Sequence, residues 1–118
     1  MRATKQQQQF ICTESFLFVV KPGAPTNEEL EKLGVEIGET WIKLGRRFQI
    51  SEPKIQEINK VHDQLSEKGY HMLKHWKQEK GSAATYKALW DALQHDLVQR
   101  KDLAETFCYT EGNYFLRY

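Results

Sequence analysis

Apolar residues along most of this chain recur at steps of three and four, and that period begins at Thr26. Thr26 is followed three residues later by Glu29, the spacing of a capping box, and Leu30, Leu33 and Ile37 then share one stripe. Gly38 ends or bends this helix, and Trp41, Leu44 and Phe48 predict a second from about Glu39 to Phe48. Ser51 can cap a third helix over Glu52 to Lys60. Pro53 is tolerated in its first turn, and Ile50 and Ile55 are placed as a hydrophobic staple. Leu65, Met72, Leu73 and Trp76 mark a fourth helix, with Gly69 on the same side where a neighbour can approach closely, and Gly81 stops it. Ser82 is expected to open a fifth helix with the stripe Tyr86, Leu89, Trp90, Leu93 and Leu97. Leu103, Ala104 and Phe107 predict a last one from about Arg100 to Cys108. Six short helices with short connections imply an all-α fold, a compact antiparallel bundle.

Residues 1–25 follow another pattern. The tract Lys5 to Gln9 is polar and low in complexity, Phe10 to Val20 is apolar, β-branched and locally extended, and Lys21 to Pro25 breaks any regular element. The sequence therefore divides into an N-terminal appendage (1–25), a helical domain (26–108) and an aromatic, aperiodic tail (109–118). The apolar half of the appendage is expected to lie against the domain or against another chain.

The length of 118 residues suits one domain with a real core, and a formal charge of +1 gives no reason to expect nucleic acid or an acidic membrane as the main partner. The longest apolar run, Phe16 to Val20, is too short to span a bilayer. With Arg2 and Lys5 it faintly resembles a signal peptide, but Glu14 interrupts the wider apolar stretch from Phe10 and no good small-residue cleavage site follows Val20. Two distant cysteines, Cys12 and Cys108, form neither a disulfide framework nor a zinc motif, and no Asn-x-Ser/Thr sequon occurs. Both features point to a reducing, cytoplasmic setting.

Little in the sequence suggests chemistry. His71, His75 and Glu79 lie four apart and share a helical stripe, a spacing metal pairs use, yet no His-Glu-x-x-His or further ligand accompanies them. Two exposed histidines and no metal are expected. Cys108 beside Phe107 reads as half-buried packing, and nothing places an activating base near it. Trp41 and Trp76 are expected as core anchors, with Trp90 at the edge of its stripe. No phosphate loop, nucleophile elbow or paired-carboxylate signature is present, so neither catalysis nor a cofactor or small-molecule substrate is expected.

The run Trp41-Ile42-Lys43-Leu44-Gly45-Arg46-Arg47-Phe48-Gln49-Ile50-Ser51 resembles the W-x-x-L-x-R-x-L-x-(I/V)-S signature of death domains. Ile55 and Ile58 resemble its I-x-x-I, and Met72-Leu73-Lys74-His75-Trp76 the M-L-x-x-W of its fourth helix. Gly81, Ala84-Thr85, Leu89 and Ala92-Leu93 are similar to the motif of the fifth, and Arg100 to Ala104 to the closing helix. Order and spacing hold from Glu28 to Phe107. The sister caspase-recruitment and death-effector folds normally lack the tryptophan pair. The resemblance implies a six-helix docking module that stacks asymmetrically with other death domains, or with copies of itself, in apoptotic and inflammatory signalling. Surfaces of helices 1 and 4 on one subunit would meet helices 2 and 3 on the next. Likeness to ankyrin and netrin-receptor tails also allows a structural or autoinhibitory unit of a larger protein.

Charge patterning agrees independently. Glu28, Glu29, Glu31, Glu36 and Glu39 make the first helix and its exit acidic, relieved by Lys32. Lys43, Arg46 and Arg47 make the second helix basic, and Lys54 adds to it. Opposed patches on one molecule favour head-to-tail attraction despite a neutral total. Glu28, Glu29, Glu31 and Glu36 against Lys43, Arg46, Arg47 and Lys54 are therefore the expected partner-binding residues, with Arg46 foremost because its guanidinium can grip a carboxylate bidentately. The same four basic residues could alternatively face nucleic acid.

Overall fold

At Thr26, Ser51 and Thr85 a side chain starts a helix by accepting a backbone N–H that has no partner within that helix. The computed structural model of the chain describes residues 10–13 and 16–108, so the glutamine tract and the aromatic tail lie outside the described residues. Helix α1 spans Asn27–Ile37. Thr26 Oγ1 accepts the Glu29 N–H at 3.1 Å while the Glu29 carboxylate accepts the Thr26 N–H at 3.0 Å, the reciprocal capping box its sequence predicts. At Gly38 the backbone turns left-handed (φ 54°) and closes the helix.

A 3₁₀ turn over Gly38–Thr40 leads into α2, Trp41–Arg47, which therefore begins two residues after the expected Glu39. Ser51 Oγ accepts the Lys54 N–H at 3.3 Å to start α3, Glu52–Val61, and Ile50 and Ile55 are both buried as the staple requires. The remaining helices are α4 (Leu65–Lys80), α5 (Tyr86–Gln94) and α6 (Lys101–Cys108). All six expected helices are present.

The fifth helix differs at both ends from its sequence reading. Residues Gly81–Ala83 form a 3₁₀ turn, and Thr85 rather than Ser82 is the cap, accepting the Ala88 N–H at 3.1 Å. The helix stops at Gln94, because the carbonyl of His95 collects the N–H groups of Val98 and Gln99 and its Nδ1 accepts that of Leu97. Leu97, expected on the apolar stripe, is thus 57% exposed, and Val98 enters the core instead. Leu65, one turn before the buried stripe of α4, is likewise exposed.

The most extensive helix pair is α1 on α4, and α4 also packs against α2 and α3, while α5 pairs with α6. Two glycines let α1 and α4 approach so closely. A Cβ on Gly34 would lie 2.8 Å from the Tyr70 backbone N and 3.0 Å from the Ser66 carbonyl oxygen, and one on Gly69 would lie 3.0 Å from the Gly34 carbonyl oxygen. Around this contact Leu30, Leu33, Ile37, Leu44, Met72 and Leu73 are fully enclosed. Trp41 and Trp76 are core residues, and Phe48 stacks on Trp76 at 4.2 Å between centroids.

The N-terminal segment is extended, as expected, and pairs with itself. Strands β1 (Phe10–Thr13) and β2 (Phe16–Val19) run antiparallel with Phe10 opposite Val19 and Thr13 opposite Phe16. Part of the supposed appendage belongs to the core, since Val20 and Pro25 are buried. The Lys21 N–H donates to the Cys108 carbonyl at 2.7 Å and the Tyr86 N–H to that of Gly23 at 3.0 Å, which stitches this segment to α5 and α6.

Gly34→Ala is expected to destabilise the protein by about 1–3 kcal/mol in urea titrations, because backbone atoms cannot yield to the new methyl. Gly45→Ala, whose Cβ would meet the flexible Met72 side chain at 3.2 Å, should be milder. Trp76→Ala should lose about 3–5 kcal/mol by the same measurement.

Candidate interaction surfaces

The acidic residues of α1 separate into outward and inward groups. Glu28, Glu31 and Glu36 are exposed, and Glu39 is exposed in the following turn. Glu28 lies 3.8 Å from Lys32 in an open i,i+4 pair, which contributes little to stability. Glu29 instead faces the domain. Its carboxylate accepts the Tyr86 hydroxyl at 2.5 Å, the Thr26 N–H, and the Lys21 ammonium at 3.2 Å. Burial alone would raise the Glu29 pKa, but these hydrogen bonds and the Lys21 charge outweigh it and hold the group below the ordinary carboxylate range. Burial and the same carboxylate push the Tyr86 phenol up to about 12. Glu29 therefore joins α1 to α5, and its carboxylate has three partners inside the domain.

The four basic residues are divided as well. Lys43 is exposed and pairs with no described carboxylate. Arg46 is also exposed, but its guanidinium grips Glu52 at the start of α3, with Nε at 2.8 Å and Nη2 at 3.4 Å. That is the bidentate geometry expected of it, with a carboxylate of its own chain in the fork. The pair raises the Arg46 pKa and lowers that of Glu52. Lys54 contacts Glu57 at 3.4 Å.

Arg47 points elsewhere. It lines a cleft between α2, α4 and α5 with Phe48, Trp76, Asp91 and His95. Its buried Nε has no acceptor among the described residues. Of the four basic residues of the sequence reading, Lys43 and Arg46 are exposed on α2, Lys54 is half-buried on α3, and Arg47 lines the cleft with α5.

Residues outside the helical stripes prove to be neighbours. His62, the C-cap of α3, stacks on His71 of α4 with ring centroids 4.0 Å apart and planes 9° from parallel. Glu67 reaches His71 Nε2 at 3.4 Å. Burial and the His62 ring lower the His71 pKa, as does Lys74, although Glu67 opposes them. His71 and His75, expected to be exposed, are half-buried, and His71 meets His62, which is delivered across the turn between two helices with no fixed spacing to announce it. Neither Tyr86 nor Lys21 carried any sequence signal for its contact with Glu29, fifty-seven positions away in the case of Tyr86.

Cys108 is fully buried rather than half-buried, and burial pushes its thiol up to about 12, so the reactive thiolate is suppressed at neutral pH. Trp90 is partly buried against the core, with Lys87 over its ring at 5.2 Å. No helix among the described residues is long and apolar enough to cross a membrane.

A six-helix bundle around a packed aromatic core defines an all-α domain. The family model described as Death domain matches residues 27–107, and the chain belongs to that family, whose members are protein–protein interaction modules. No curated protein matches it in sequence.

Tyr86→Phe is expected to lose about 1–2 kcal/mol of stability at neutral pH, as a hydrogen bond to a charged acceptor disappears. Because the Glu29 pKa is depressed in the folded protein, its contribution is complete above the ordinary carboxylate pKa and lost as pH falls through the lowered value. The difference between the two proteins should therefore shrink in acid, as followed by thermal unfolding across pH.

Proposed function

We propose that this domain transmits apoptotic or inflammatory signals in the cytoplasm by assembling with other death domains, copies of itself included. The observation that carries this reading is the placement of opposite charges on one rigid body. Glu28, Glu31 and Glu36 are exposed on α1, and Lys43, Arg46 and Lys54 belong to α2 and α3. Helices α1 and α3 both pack against α4, which holds the two sets of charges in a fixed relation. Contact between the acidic face of one copy and the basic edge of the next is heterologous, so it propagates into a stack instead of closing as a dimer. Long-range attraction also speeds the encounter and makes it salt-sensitive.

The Arg46–Glu52 pair favours a second reading, in which the domain is an autoinhibitory or structural unit of a larger protein with its foremost arginine held closed. For nucleic acid the support is weaker, since Arg46 and Lys54 each sit against a glutamate.

Light scattering against protein concentration and salt tests the proposal. The chain should form larger species at low salt, and Lys43→Glu with Arg46→Glu should abolish them while far-ultraviolet circular dichroism is unchanged. Arg47 is left intact because its half-buried side chain would confuse folding with association. Glu52→Gln frees the Arg46 fork and should strengthen assembly. A chain that stays monomeric in every condition, with Glu52→Gln also without effect, favours the autoinhibitory unit.

A further inference from the structure

The turn between α3 and α4 brings together three side chains with the chemistry of metal ligands. One ligand atom each from His62, Glu67 and His71 lies within 4.8 Å of the other two. We propose that these residues form a binding site for one divalent transition-metal ion of the zinc type, with a fourth position open to water.

Zinc favours imidazole nitrogen and carboxylate oxygen in a tetrahedral shell, with bonds of about 2.0–2.2 Å, which places ligand atoms about 3.3–3.5 Å apart. The three groups therefore have to close by at most about 1.5 Å to reach that shell. Their side chains are free to do so, as Glu67 is exposed and both histidines are half-exposed. Parallel rings cannot aim two lone pairs at one ion, so binding requires His62 and His71 to swing out of their stack. Glu67 and His71 are one turn apart on α4, and His62 is held at the end of α3, where its N–H donates to the Ile58 carbonyl at 3.2 Å.

The electrostatic setting suits a cation. Glu67 supplies a carboxylate and the two histidines supply imidazole nitrogens, a donor set zinc accepts. Nearby ammonium groups are engaged elsewhere: Lys54 with Glu57, Lys68 with the Asn59 side chain at 2.7 Å, and Lys74 over the Tyr70 ring. A cleft bordered by Val61, His62, His71 and His75 opens the cluster to solvent, which gives an ion its path. Bound there, the ion would clamp the α3–α4 turn from both sides.

Cobalt(II) titration of the untagged chain near neutral pH, followed by visible absorption, reads the site directly. One equivalent should develop the intense bands of tetrahedral cobalt with nitrogen and oxygen ligands, and Zn²⁺ should erase them. His62→Ala, His71→Ala and Glu67→Gln should each abolish the bands, while His75→Ala keeps them. Zn²⁺ should also raise the unfolding temperature of the natural chain and leave that of His62→Ala unchanged, because a ligand that binds only the folded state stabilises it. The proposal is overturned if cobalt gives no saturable bands, if they survive His62→Ala, or if His75→Ala removes them. A near-ultraviolet sulfur-to-cobalt band would overturn it too, by moving the ion to a cysteine.

Discussion

The close approach of α1 to α4 at Gly34 and Gly69 is the constraint on which the rest of the bundle depends. With no Cβ on either residue, backbone meets backbone, and Leu30, Leu33 and Ile37 reach the same interior as Met72, Leu73 and Trp76. Helix α4 can then contact α2 and α3 from its other sides, and Phe48 can stack on Trp76. Interiors packed this densely have no slack to absorb a methyl group between two backbones. The charged faces inherit their spacing from that contact, because both are carried on helices anchored to α4.

The acidic residues of α1 divide between the interior and the surface. Glu29 is committed inward to Tyr86, Thr26 and Lys21, and it ties the start of α1 to α5 and to the segment before α1. Glu28, Glu31 and Glu36 stay in water, where their contribution to stability is small and salt screens their field. The guanidinium of Arg46 is occupied by Glu52 of the same chain, so under the proposed assembly an incoming carboxylate has to displace Glu52.

Much of the fold was legible because its signals are local. A cap, a staple or an apolar step of three and four involves residues within one or two turns, and the reading of Thr26, Ser51 and Gly38 needed nothing more distant. The failures were local contests decided by neighbours. Leu97 continued the stripe of the fifth helix on paper, yet the His95 turn ended the helix first and left Val98 to fill the core. Of the interaction residues, the sequence identified type and helix but not direction. Adjacent residues on a helix project about 100° apart, so Arg46 and Arg47 could not share a face once α2 was placed.

By itself the sequence determined six helices, the caps at Thr26 and Ser51, most of the apolar stripes, the tryptophans of the core and the opposed signs of α1 and α2. Family membership was legible too, through motifs whose spacing survives along the chain. Only the tertiary structure decided that Glu29 is internal, that Arg46 is paired, that Val20 and Pro25 are core, and that His62 meets His71. Those outcomes join residues from separate elements, and the angle and distance between packed helices set them. A spacing read along one helix carries no information about what the next helix will place against it.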